Sequence, residues 1–207
     1  MLTADQIKER LDPLADDLVE GHLRGWEMWL QLMRERPDFT RPLERSERAA
    51  LVHRHVCQEI DQRVSRRGYQ MNRALTFSAL AVGTDLLVRF KYMRDGQPWN
   101  VQTGQQRLLA RQLYNDDMMD ALALEGFTEP PTFVTAGYIL DPREAEIAKV
   151  FILRECIGLD PQMIDLYPRR QVAAEPLVFP FIPDMRPARI SSDEEIRIAE
   201  EPTKDDS

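Results

Sequence analysis

Histidine is scarce in this chain: three residues of 207, all before residue 56. A serine or cysteine triad needs an imidazole beside the sheet-forming half of the sequence, so catalysis here would have to run on carboxylates or arginines. Cysteine is scarce as well. Cys57 and Cys156 lie far apart and read as reduced thiols of a cytoplasmic protein, with a single bridge between them left open. No apolar run approaches the ~18 residues that a membrane-spanning helix needs. The opening segment, MLTADQIKERLDPLADDL, is acidic and amphipathic, unlike a signal peptide, which predicts a soluble cytoplasmic protein. A phosphate-binding glycine loop, a Gly-x-Ser-x-Gly elbow and a His-Glu-x-x-His helix are all missing.

What is present is an ordinary globular composition, 43% hydrophobic, of a length that suits one domain with an appended segment. Formal charge is −8 and unevenly spread. Residues 193–207 hold seven acidic side chains against Arg197 and Lys204, so this tail alone carries −5. Neither part is basic enough for a general nucleic-acid binder, although local basic patches remain open.

Apolar periodicity predicts helix over residues 3–36, capped by Thr3 or Asp5, with Pro13 and Gly21 as breaks. A second helix opens at Ser46. Its stripe of Val52, Val56, Ile60 and Val64 repeats every four residues, and Gly68 ends it in a left-handed conformation. The period then changes to two. Strands are expected on both sides of Gly83; in the second, Leu86, Val88, Phe90 and Tyr92 share one face, and Leu87, Arg89, Lys91 and Met93 the other. Asp95-Gly96 is a turn signal, and Pro98 argues against a regular strand just beyond it. Thr103 with Gln106 fits a capping box for a helix from about Gly104 to Tyr114. An acidic, Met-rich connection leads to two further strands, TFVTAGYILD and IAKVFILREC, joined across Asp141-Pro142.

The predicted class is α+β: N-terminal helices, then a small, mostly antiparallel sheet with one inserted helix, and an extended C-terminal arm. Residues 1–167 form the domain, helical over 1–68 and sheet-forming over 69–167. Residues 168–192 are a Pro-rich arm, and the acidic tail at 193–207 is expected to be disordered.

Several constellations of residues could carry chemistry. His53 and Cys57, four apart on a helix, would need His22 and Cys156 to complete a zinc site, but no paired-ligand motif exists and the two read as neighbours flanking the stripe. Arg48 and His53 have the spacing of a helical ribonuclease pair, yet five residues of helix place them about 140° apart, so a surface pair is the better reading. A metal nuclease would want acid-x-Lys on a strand; Glu146 to Lys149 has one residue too many, and Asp141 before Pro142 is sufficiently explained as a turn residue. No metal and no cofactor is expected. The most individual stretch is RFKYMRDGQPWNVQTGQQ. Arg89 and Lys91, with Arg94 as a further candidate, place positive charge along one strand. With Trp99 as an aromatic wall and the start of the following helix nearby, they form a candidate anion or acidic-peptide site. The competing and favoured reading is a solvated sheet face with Trp99 pinning a corner. On the arm, Leu177, Val178, Phe179, Phe181 and Ile182 are apolar anchors stiffened by proline, suited to docking on a partner or at home.

Arg89-Phe90-Lys91, then Asn100, Thr103, Gln105 and Gln106, then Ala136 to Asp141, resemble motifs in a group of uncharacterised bacterial proteins of mobile elements and prophages. That group is associated with genes for immunity-repressor-cleaving metallopeptidases and helix-turn-helix regulators. The resemblance spans about residues 73–155 and departs from the pattern at Pro98 and Tyr92. It implies a regulatory or defence context with a protein partner, and supplies no catalytic residues. The expected function is thus a non-catalytic regulatory or antitoxin-like protein that binds a protein partner through Arg89, Lys91, Trp99 and Asn100 on the domain and Phe179, Phe181 and Ile182 on the arm. A small nuclease or phosphate-ester-binding enzyme, or a self-assembling phage component (a homo-oligomer), is the alternative.

Overall fold

The computed structural model describes residues 1–72, 77–94, 97–98, 103–156 and 159–166, and of Asn72, Arg94, Gln97, Cys156 and Leu159 only the backbone. The chain divides into Met1–Val172 and Ala173–Ser207, and every described residue belongs to the first unit.

Helix α1 (Ala4–Leu11) starts in a capping box: Thr3 Oγ1 accepts from Gln6 N at 3.3 Å, and Gln6 Oε1 accepts from Thr3 N at 2.8 Å. A short 3-10 turn over Asp12–Leu14 absorbs Pro13, and α2 (Ala15–Glu35) continues without a break at Gly21. The expected break is absent because that glycine serves packing. After a single turn, α3 (Pro37–Thr40), helix α4 (Arg45–Ser65) runs back along α2. A Cβ added at Gly25 would lie 2.6 Å from both Cα and N of Val56, and one at Gly21 would lie 2.4 Å from Ile60 Cγ1. Only hydrogen fits there, and the two backbones approach closely. The α4 stripe of Val52, Val56, Ile60 and Val64 is buried as its period implies. Its entry is made by Glu44, whose N–H donates to Glu47 Oε2, two residues ahead of the expected Ser46. Gly68, at φ +84°, terminates the helix while Tyr69 N–H reaches back to the Val64 carbonyl.

The sheet comprises β1 (Met71–Asn72), β2 (Ala79–Val82), β3 (Leu86–Arg94), β4 (Gln97–Pro98), β5 (Thr132–Leu140), β6 (Ile147–Cys156) and β7 (Leu159–Asp165). Its order is β1-β2-β3-β5-β6-β7, with β4 beside β3. Every pairing is antiparallel except β3 with β5. Hairpins turn at Gly83 and at Asp141-Pro142 as the sequence predicts. At the second, Asp141 carboxylate oxygens accept from the N–H groups of Arg143, Ala145 and Glu146. The β3–β5 crossover contains α5 (Gly104–Ala110) and also α6 (Asp116–Leu124). The Met-rich stretch read as a connection is therefore a helix. Asn115 caps it, Asp116 and Asp117 favour its positive end, and it buries only Met118 and Leu122.

The sheet is covered on both faces. His22 and Trp26 of α2 meet Phe90 and Tyr138, so the N-terminal helices lie on one side. On the other, Leu87, Ala79 and Phe133 join Leu109, Ala110, Met118 and Leu122 of α5 and α6 in a second core. The architecture is α+β, and no described helix is long and apolar enough to cross a membrane.

Candidate functional site

Strand β3 lies between two covered faces, and this overturns the expectation of a solvated cationic face. Arg89 is 1% exposed. Its Nε–H donates to Thr135 Oγ1 on β5 at 2.8 Å, and its Cζ sits 5.2 Å from the centre of the Phe133 ring. The Glu155 carboxylate of β6 stands 3.8 Å from Nη2, near enough for charge attraction and too far for a hydrogen bond. Burial lowers the guanidinium pKa to about 10 against the opposing pull of Glu155, so Arg89 stays charged at neutral pH.

Lys91, two residues on, is half-buried. Desolvation lowers its pKa, the Arg89 charge lowers it further, and the Cys57 thiol raises it. Lys91 thereby couples the sheet to α4. Beyond burial, its charge is the second cause that depresses the His53 pKa, to about 4. Two cations thus share one strand segment in which Glu155 is the acidic group paired with Arg89.

A polar residue at the end of α5 holds this region in shape. Gln112, at φ +60°, donates from Nε2 to the carbonyls of Phe133 at 2.7 Å and Glu155 at 3.1 Å, and its Oε1 accepts from Phe133 N at 2.9 Å. It bridges β5 and β6 just beyond their rung at Thr135 and Leu153. Nothing local in the sequence distinguishes Gln112 from its neighbours Gln105 and Gln106; its role is tertiary. Of the expected capping box at α5 only half is made. Thr103 Oγ1 accepts from Gln106 N at 3.2 Å, while Gln106 Oε1 is buried without a hydrogen-bond partner.

The other sequence candidates separate. Trp99, Asn100, Phe179, Phe181 and Ile182 lie outside the described residues, as do the Asp95-Gly96 turn and the Arg94 side chain. His22 is fully buried against Phe90 and Tyr138. Its Nδ1 lies 2.7 Å from the Leu18 carbonyl, an acceptor only, so Nδ1 carries the proton. Burial holds its pKa down at about 4. His53 lies against Cys57, whose Sγ is 3.6 Å from Nε2 and 3.8 Å from Nδ1. Near-equal distances leave the sulfur in line with neither nitrogen lone pair, which is a packing contact in geometry. Arg48 engages a different neighbour, donating Nε–H to the Leu43 carbonyl at 3.0 Å. Among the described residues no group of three or more His, Cys, Asp or Glu side chains is placed to hold a metal. Compared with known proteins, the chain matches no family model, no curated protein and no solved structure.

Proposed function

We propose that the chain is a non-catalytic regulatory, antitoxin-like protein that binds a protein partner. The observation that supports this best is the charge imbalance on β3: Arg89 is buried and Lys91 half-buried, and among the described residues the ion pair made by Arg89 is the one with Glu155 at 3.8 Å. Cations held out of water attract an acidic group more strongly than exposed ones, and a partner presenting one gains specificity and speed of encounter. Of the residues a nuclease would use, Arg48 donates to the Leu43 carbonyl and His53 packs against Cys57. The arm, with Phe179, Phe181 and Ile182, adds apolar contacts, and its prolines reduce the entropy lost on docking. The resemblance of Arg89-Phe90-Lys91 and Ala136 to Asp141 to mobile-element proteins supports a partner from a regulatory or defence module.

The test uses tagged full-length protein and a truncation after Val172, the boundary of the first compact unit. Both are passed over native cell extract. The reading predicts a stoichiometric protein on the full-length chain that is lost from a truncation whose unfolding midpoint is unchanged. Nucleic acid on both, or no protein on either, contradicts it, and an unfolded truncation rejects the arm's part in it.

A further inference from the structure

The guanidinium of Arg89 carries five N–H bonds. One is used, from Nε to Thr135 Oγ1. The other four, on Nη1 and Nη2, are shielded from solvent and have no hydrogen-bond acceptor among the described residues. Leaving a buried charged donor unsatisfied is costly, and Glu155 at 3.8 Å offsets its charge without satisfying its hydrogens. With the Phe133 ring beneath Cζ and Nε taken by Thr135, the part of the cation without a hydrogen bond among the described residues is its buried Nη1–Nη2 edge.

We propose that this edge is a binding site for one small oxyanion, whose two oxygens accept from Nη1 and Nη2 side by side. Such a fork-to-fork arrangement is the geometry that guanidinium matches and ammonium does not. Entry lies on the side of Glu155, whose side chain is 25% exposed and is the acidic group paired with Arg89 among the described residues. Its main chain is tied by Gln112 Nε2 through the Glu155 carbonyl, so the side chain swings aside while the strand stays. Lys91 supplies a second positive charge in range of Arg89. The inference rests on the partner-binding reading in one respect: it names the chemical group a partner would present.

The test is thermal unfolding of the full-length protein near pH 7 in sodium acetate, inorganic sodium phosphate or sodium chloride at matched ionic strength, for wild type, Glu155→Gln and Arg89→Lys. An oxyanion site predicts a saturable rise in the wild-type midpoint over chloride. It predicts tighter apparent binding, by about fivefold, in Glu155→Gln, where a like charge is removed. Arg89→Lys keeps the charge, lacks the fork, and loses the response. A rise with acetate assigns the group to a carboxylate such as an acidic side chain; a rise with phosphate alone assigns it to a phosphoryl group. Equal midpoints in all three salts for both wild type and Glu155→Gln overturn the proposal and leave Arg89 a purely structural charge, even if Arg89→Lys fails to fold. Partner capture by the full-length chain in the face of that result would leave the partner-binding reading standing without this site.

Discussion

The side-chain amide of Gln112 pairs with Phe133 as a neighbouring strand would, accepting from its N–H at 2.9 Å and donating to its carbonyl at 2.7 Å. The same Nε2 reaches the Glu155 carbonyl, so one side chain closes the splayed end of two strands and fixes the backbone that presents Glu155 to Arg89. Gln112→Ala strips partners from the Phe133 N–H and from the carbonyls of Phe133, Glu155 and Ala110, and lowers stability by about 2–4 kcal/mol, measured by urea unfolding. Gln112→Gly removes the same bonds while relieving the left-handed backbone, and recovers about 1 kcal/mol relative to alanine. Identical loss in the two variants would contradict the backbone part of this account.

Close approach of α2 and α4 depends on hydrogen at two positions. Gly25→Ala drives a methyl into the Val56 backbone, which has no rotamer to yield. The expected loss is about 3 kcal/mol, seen in the same denaturation assay. Gly21→Ala first meets the Ile60 side chain and is the milder change.

Acid weakens the fold through buried imidazole. The folded-state pKa of His22, about 4, lies below the 6.5 of an unperturbed histidine, so the unfolded chain binds the proton more readily. The stabilising contribution is complete above pH 6.5 and declines as pH falls toward 4. At pH 5 His22 alone accounts for about 2 kcal/mol of lost stability relative to pH 7. His53, depressed to about 4 by burial and by Lys91, adds in the same direction. Urea midpoints collected from pH 7 to pH 5 test this: they fall in the wild type and fall less steeply in His22→Gln.

The α+β class, the α4 stripe, the Gly68 terminus and both hairpin turns were legible because each is written in local period or turn chemistry. Helix α6 was not, since two buried residues in nine make a weak stripe.

 The three aspartates of α6 are Asp116, Asp117 and Asp120. Spread through so short a segment, they mask its apolar side in any window of sequence.

Arg89 was legible as a candidate and misread in its surroundings. Alternation along β3 separates Arg89 from Phe90, but it does not reveal that α5 and α6 cover the Arg89 side as α2 covers the other. Burial of that face is decided by a crossover of helices remote in sequence from the strand. Gly21 was misread for a related reason: a glycine that breaks a helix and one that admits a neighbouring helix look alike until the neighbour is placed.

The measurement that bears most directly on the central claim is the affinity of the captured partner for wild type and for Lys91→Glu, at low and at high salt. Lys91 is half-buried and acts on the Arg89 guanidinium, whose Nη nitrogens have no hydrogen-bond partner among the described residues, and reversing its charge turns the set of Arg89, residue 91 and Glu155 from net positive to net negative. The account predicts that wild-type affinity falls with rising salt, and that Lys91→Glu weakens binding by more than about tenfold at low salt while its unfolding midpoint stays near that of wild type. Equal affinities for the two proteins at both salt concentrations would contradict it.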